Sequence, residues 1–206
     1  ILEKHNGEHL HIIAKIENRE GVVNFDEILK VSDGIMVARG DLGVEIPIQE
    51  VPTIQKSLIE KCYKVGKPSI TATQMLDSMM RNPRPTRAEV SDVANAILDG
   101  TSAIMLSGET AAGKYAVESL AMMDSIALQT EKTIDYWGNF NKANYQMIPS
   151  VANAISHATC MTAMDLKARA IVAVTHSGRT ARLISRFRPE CPIIATTVSQ
   201  ESLRQL

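Results

Sequence analysis

The sequence predicts an α/β fold, on three observations. Short apolar runs at 10–17, 34–38, 68–74 and 102–106 are each followed by a segment of helical periodicity, so strand and helix alternate four times. Each run ends in polar residues of chemically useful types, and glycines gather in the loops that follow. After residue 133 the composition changes, and from 149 a new helix–strand–helix–strand rhythm begins. Such alternation implies parallel strands joined by helical crossovers, as in a (β/α) barrel or a doubly wound sheet. Four units amount to half of an eight-unit barrel.

Leu10-His11-Ile12-Ile13-Ala14-Lys15-Ile16-Glu17 reads as a buried strand. Lys15 and Glu17 lie at its C-terminal end and on one face, because residues two apart in a strand share a side. Val22, Val23, Phe25, Ile28 and Leu29 then mark one face of a helix over 18–30. Gly34-Ile35-Met36-Val37-Ala38 is a second buried strand, ending abruptly in Arg39-Gly40-Asp41. The chain is organised around this tip: Gly40 lets the backbone approach a ligand and Asp41 supplies a carboxylate at a strand's C-terminal end. Pro47 and Pro52 punctuate a loop, and a helix over 51–65 sets Ile54, Leu58, Ile59 and Cys62 on one face before Gly66 stops it. The third strand, 68–74, ends in small hydroxyls and an amide. A loop or short helix with Pro83 and Pro85 follows over 75–87. The helix over 86–98 opens with a capping signature, Thr86 followed by Glu89, and ends at Gly100. The fourth strand, 102–106, runs into a glycine-rich turn, Ser107-Gly108-Glu109-Thr110-Ala111-Ala112-Gly113, and then a long amphipathic helix over 115–133. Asp135-Tyr136-Trp137-Gly138-Asn139-Phe140-Asn141 reads as a linker or irregular arm. Pro149 opens a helix over 150–165, followed by strand 170–175, helix 181–187 and strand 191–197. The polar lead before residue 10 and the helical look of 201–206 suggest that neither end is a natural terminus.

The chain has 206 residues, 45% hydrophobic and 22% charged, which permits a sizeable core and one large domain or two small ones. A net charge of -1 gives no general attraction to nucleic acid or an anionic membrane, so an anionic ligand must be held by local groups. Cys62, Cys160 and Cys191 are odd in number and widely spaced, neither a disulfide framework nor a zinc pattern; reduced thiols in a cytoplasmic protein are expected. No apolar run is long enough to cross a bilayer. His5, His9 and His11 lack helical ligand spacing and read as a solvated segment.

Chemistry is expected at the strand tips. Glu17 and Asp41, on neighbouring tips, make a hard oxygen site that suits Mg²⁺, an ion that takes a few carboxylates and fills its other positions with water and substrate oxygens. Lys15 adds a point charge that can follow developing negative charge. Thr73 and Ser107 add hydroxyls, and Gly40, Gly43 and Gly108 leave backbone N–H groups open to an anion. The set suits an oxyanion or phosphoryl group held between a metal and a lysine. Each residue also has a plain structural reading: an ion pair for Lys15 and Glu17, a loop cap for Asp41, a polar strand end for Thr73. Separately, Thr175-His176-Ser177-Gly178-Arg179-Thr180 joins a strand to a helix with hydroxyls, a glycine and an arginine. This is a phosphate-binding arrangement or an ordinary helix cap. It lacks the Walker pattern.

Five stretches, in order and at matching spacing, resemble the pyruvate kinase family. They are Ile12-Ile13-Ala14-Lys15-Ile16-Glu17-Asn18; Gly34 through Glu45; Thr71-Ala72-Thr73-Gln74-Met75-Leu76; Asn82-Pro83-Arg84-Pro85-Thr86-Arg87-Ala88-Glu89; and Met105-Leu106-Ser107-Gly108-Glu109-Thr110. The resemblance covers essentially the whole chain. It implies the second half of a (β/α)8 TIM barrel at 1–134, its last four units. A linker or arm would follow at 135–148, and the truncated start of a C-terminal α/β regulatory domain at 149–206. It implies phosphoryl transfer from phosphoenolpyruvate to ADP, giving pyruvate and ATP. Lys15 resembles the lysine that stabilises the phosphoryl group and enolate, and Glu17 and Asp41 resemble the protein ligands of Mg²⁺ (or Mn²⁺). Gly40, Asp41 and Thr73 resemble the groups that hold the substrate carboxylate. Thr73 and Ser107 would lie near where enolpyruvate is protonated, with Arg39 in support. Thr175, Ser177, Gly178, Arg179 and Thr180 resemble a loop for the phosphate of a sugar-phosphate effector. The resemblance further implies a cytoplasmic homotetramer. K⁺ is also expected, but its ligands, like a substrate arginine, most nucleotide contacts and a lid domain, belong to segments before Ile1.

Half a barrel leaves two open strand edges and an exposed core face, so the isolated chain is expected to be inactive. Two other functions compete: a different Mg²⁺-dependent barrel enzyme of pyruvate or enolate chemistry, and a non-catalytic effector-binding fragment. ATP formation separates the first. Sugar-phosphate binding without Mg²⁺-dependent substrate binding marks the second.

Overall fold

The computed structural model describes residues 2–7, 10–142 and 150–206. The chain divides into two compact units, Ile1–Tyr63 with Lys67–Ile134, and Asp135–Leu206 with Lys64–Gly66.

In the first unit β1 (Ile13–Ile16), β2 (Gly34–Ala38), β3 (Ser69–Ala72) and β4 (Ala103–Met105) form one parallel sheet in the order β1-β2-β3-β4. The register sets Ile16 beside Val37, Ala38 beside Ala72 and Ala72 beside Met105. All four C-terminal strand ends therefore lie at one end of the sheet, and the residues just beyond them form a row. β2 is buried along nearly its whole length, as a central parallel strand should be. β1 and β4 terminate the strand order, and Leu10, Ile12 and Ile13 at the β1 side are about half exposed.

Helices α1 (Arg19–Val23) and α2 (Phe25–Val31) follow β1; α3 (Arg39–Glu45) and α4 (Val51–Val65) follow β2; α5 (Arg87–Leu98) follows β3; α6 (Gly108–Ala111) and α7 (Ala116–Glu131) follow β4. Ile16, Ile35 and Val37 of the sheet pack with Phe25, Leu29, Leu58 and Cys62 from α2 and α4. Met75, Leu76 and Met79 pack with Val93, Ala96, Met123 and Ile126 from α5 and α7. Each fully buried large apolar side chain contributes about 1.5–3 kcal/mol. Gly66, at φ +72°, ends α4 in a conformation that other residues adopt at a cost.

Three segments of this unit differ from their sequence-based expectation. The helix expected over 18–30 is broken at Asn24, whose N–H turns back to Glu20 O and Val22 O. Val22-Val23 lowers helix propensity and Asn favours a cap. The expected tip after β2 and the expected turn after β4 are both short helices, α3 and α6. Gly40 and Gly43 make α3 intrinsically poor, but Leu42 is fully buried with Ile46 and Val51, so packing overrides propensity.

In the second unit β5 (Ile171–Val174) and β6 (Ile193–Thr196) pair in parallel, with α8 (Tyr136–Lys142), α9 (Val151–Asp165), α10 (Arg179–Ser185) and α11 (Gln200–Gln205) around them. The segment read as an irregular arm is thus helical over Tyr136–Lys142. Asp135 Oδ1 accepts the Gly138 N–H at 2.8 Å, a cap at the helix start, and Phe140 is buried in the unit's core with Cys160, Ile171, Ile184 and Phe187. The rest of that arm and Pro149 lie outside the described residues; Ser150 caps α9 through the Asn153 N–H. All three cysteines are free, Cys62 and Cys160 buried and Cys191 half-buried. His5 and His11 are exposed, and His9 lies outside the described residues.

Candidate active site

Lys15 points from the end of β1 to a spot shared by two carboxylates. Its Nζ lies 2.6 Å from Glu17 Oε2 and 3.3 Å from Asp41 Oδ2. Glu17 is the first residue beyond β1 and Asp41 sits in the first turn of α3, directly after β2. Adjacent parallel strands therefore deliver one cation and two anions to the same point. Hydrogen bonding to Glu17, and next to Asp41, holds the Lys15 ammonium above its usual pKa. The three side chains remain 42–60% exposed, which leaves them accessible to a ligand.

The next tip is built differently. Arg39 turns inward, only 9% exposed, and pairs with Asp92 Oδ2 at 2.7 Å. Its Nε and Nη2 donate to the carbonyls of Ala72, Thr73 and Gln74, with the shortest bond to Thr73 O at 2.7 Å. Thr73 and Gln74 both have left-handed backbones, φ +71° and +52°, unusual for residues with a side chain. In this pose Thr73 Oγ1 accepts the Gly40 N–H at 2.6 Å. The Gly40 N–H, expected to stand open to an anion, is thus engaged by the Thr73 hydroxyl. The Thr73 hydroxyl in turn donates to Ala72 O at 2.6 Å, so both groups are engaged with each other and with the backbone at one point. Gly40 eases this approach: a Cβ there would sit 3.3 Å from Thr73 Oγ1 and press on it.

Ser107 stands at the tip of β4, where its N–H donates to Glu109 Oε2 at 2.9 Å. Glu109 Oε1 accepts the Leu76 N–H at 3.0 Å, and Glu109 is 2% exposed. Sequence reading passes over this residue. A lone acid in a turn of small residues gives no sign that it faces inward. Asp92 is passed over too, because its partner Arg39 lies far off in sequence.

In the second unit, the loop between β5 and α10 carries the other expected residues. Thr175 is buried and its N–H donates to Thr196 O at 2.9 Å; Gly178, at φ +75°, precedes α10. Arg182 Nη2 donates to Ser177 O at 2.9 Å. Ser177, Arg179 and Thr180 are exposed.

The donor set decides which metal suits the first site. Among the described residues no group of three or more His, Cys, Asp or Glu side chains converges. A pair of carboxylates suits Mg²⁺, which is held through one or two carboxylates with substrate oxygens and water completing its shell. Among the same residues no helix is long and apolar enough to cross a membrane.

Residues 1–120 match the family model for the pyruvate kinase barrel domain, and residues 153–206 match the one for the pyruvate kinase alpha/beta domain. The whole chain is 62% identical to a pyruvate kinase of Sporosarcina psychrophila and 58% identical to one of Bacillus licheniformis, and it spans 35% of the length of each. A crystal structure of a pyruvate kinase from Cryptosporidium parvum superposes with a TM-score of 0.93 at 47% identity, over 98% of this chain and 42% of that one.

Proposed function

Because the chain belongs to the pyruvate kinase family, we propose that it supplies part of an active site that moves a phosphoryl group from phosphoenolpyruvate to ADP, giving pyruvate and ATP. The observation that carries this reading is Lys15 Nζ held between Glu17 and Asp41 at the ends of adjacent parallel strands. Phosphoryl transfer through a loose transition state asks a protein for positioning and positive charge more than for covalent chemistry. Lys15 supplies the positive charge: its ammonium would stabilise the negative charge that develops on the transferring group and on the enolate left behind. Glu17 and Asp41 would hold Mg²⁺ or Mn²⁺, which when bound neutralises substrate oxygens that these residues alone would repel. The Gly40 N–H and Thr73 hydroxyl, already in contact, would open to take the substrate carboxylate together with the Asp41 backbone. Thr73 and Ser107, on successive tips, would lie near where the enolate is protonated.

In this reading the first unit is the second half of a (β/α)8 barrel, residues 1–134, joined through 135–148 to the beginning of a regulatory α/β domain. The exposed apolar β1 side is where the remaining barrel strands would pair. The loop at 175–180 would take a sugar-phosphate effector. K⁺ ligands and most nucleotide contacts would come from the rest of a cytoplasmic homotetramer. Turnover by the full-length enzyme carrying Lys15→Met tests the core of the reading: kcat falls sharply, by about 10³-fold, while phosphoenolpyruvate affinity stays near normal. A variant with near-normal kcat removes Lys15 from the transition-state role. The isolated chain should form no ATP from phosphoenolpyruvate and ADP, and robust turnover by it would refute the split-site view.

A further inference from the structure

The segment Thr73-Gln74-Met75-Leu76, between β3 and α5, is gripped from both sides by buried charge. At its beginning the Arg39 guanidinium, 9% exposed, takes the carbonyls of Ala72, Thr73 and Gln74. At its end Glu109, 2% exposed, takes the Leu76 N–H through Oε1. The other oxygen of Glu109, Oε2, takes the Ser107 N–H, so the same side chain is fixed to the β4 tip. Among the described residues no ion pair includes Glu109, and both of its oxygens are committed to backbone amides. A cation at the carbonyl end and an anion at the amide end pull the segment along its own peptide dipoles. Such opposed, charge-assisted bonds are strong enough to keep two non-glycine residues in the left-handed region.

We propose that Glu109 is a positioning residue that acts through Leu76 to hold the Thr73–Gln74 backbone left-handed and so aims the Thr73 hydroxyl at the Gly40 N–H. The inference rests on the reading of Thr73 as a substrate-binding group. Glu109 touches no reacting atom in this scheme; its effect passes through the segment it anchors. Arg39 holds the carbonyls at one end of the segment, and Glu109 gives the Leu76 N–H at the other end a fixed acceptor that Arg39 does not provide.

A double-mutant cycle in the full-length enzyme tests this. Glu109→Gln keeps the shape but turns one acceptor into a donor facing an N–H, so one of the two amide bonds is lost. Thr73→Val removes the hydroxyl being aimed. The expected result is that Glu109→Gln lowers kcat/KM for phosphoenolpyruvate by about 10–100-fold when Thr73 is present but less than about twofold when Thr73→Val is already in place, with the KM for ADP unchanged. An equal loss in both backgrounds, or no loss in either, overturns the positioning role, because a merely structural defect does not depend on the Thr73 hydroxyl. Should Glu109→Gln fail to fold, Glu109→Asp, which keeps the charge on a shorter stem, takes its place in the same cycle. If Thr73→Val alone leaves turnover unchanged, the assignment of Thr73 falls and the inference falls with it. If Thr73→Val is impaired and the two effects add, only the inference falls.

Discussion

Replacing Gly40 with alanine separates what this position does for the fold from what it does for the site. Gly40 lies in the first turn of α3, where alanine is intrinsically favoured by about 1 kcal/mol. Against that gain, the new Cβ would stand 3.3 Å from Thr73 Oγ1 and 3.5 Å from Thr73 Cβ, so Thr73 must give way by a few tenths of an ångström. Thr73 is poorly placed to yield, with its carbonyl held by Arg39 at 2.7 Å and its backbone already left-handed. Overpacking of this kind costs about 1–3 kcal/mol. The two terms nearly cancel, and Gly40→Ala should change stability by no more than about 2 kcal/mol. Function should not be so protected. The methyl group presses on the Thr73 hydroxyl that the Gly40 N–H contacts, and displacements of this size cost roughly 10–100-fold in rate when they disturb positioning. Thermal unfolding and steady-state kinetics on the full-length enzyme decide it. A small change in Tm with a loss of about 10–100-fold in kcat/KM for phosphoenolpyruvate is expected. A variant within about twofold of the parent in kcat/KM for phosphoenolpyruvate would refute the account of this tip.

Two further outcomes follow from local chemistry. Glu89 accepts bonds from the N–H and hydroxyl groups of both Ser78 and Thr86, at 2.6–2.9 Å. Partial burial pushes its carboxyl pKa up, but these bonds outweigh burial and hold it below the usual carboxylate range. A depressed value means that the stabilisation is present above the unfolded pKa of about 4.3 and is lost as pH falls through the folded value. Glu89→Gln should therefore cost about 1–2 kcal/mol at neutral pH and progressively less in acid. A cost that does not change between neutral and acid unfolding experiments would count against this. Burial pushes the Cys62 and Cys160 thiols up to about 12, whereas Cys191 is half-buried. Thiolates are the reactive species, so a thiol reagent at mildly alkaline pH should label Cys191 first under native conditions, with the buried pair following on unfolding. Mass mapping that found Cys62 labelled as fast as Cys191 would contradict the burial.

What the sequence revealed depended on the kind of signal. β2 and α4 were legible to the residue because their apolar spacing is strong and their ends carry a charged or glycine stop. The capping of α5 by Thr86 and Glu89 was legible because a cap is a local device. Helices α3, α6 and α8 were not, since they exist by burying Leu42, Glu109 and Phe140 rather than by local propensity, and the partners of Glu109 and Phe140 are distant in sequence. The meeting of Lys15 with Glu17 could be expected from strand alternation, and its meeting with Asp41 from neighbouring strand order. The inward turn of Arg39 could not be read, because nothing local separates an arginine facing ligand from one facing the next strand's carbonyls. Nor could the left-handed backbone at Thr73 and Gln74, where neither residue type announces it.

That backbone has a consequence for how activity is lost. Each left-handed non-glycine residue carries a cost of about 1–3 kcal/mol, tolerated only while the surroundings dictate it. Here the dictating groups come from the ends of three different strands, through Arg39 after β2, the segment itself after β3, and Glu109 after β4. Loosening any one of them lets Thr73 relax to a commoner conformation with the sheet still intact. The hydroxyl's aim works as a sensor of intactness for this end of the fold. On warming, catalytic competence should fade before secondary structure does, because the most conditional piece of geometry is the first to lapse.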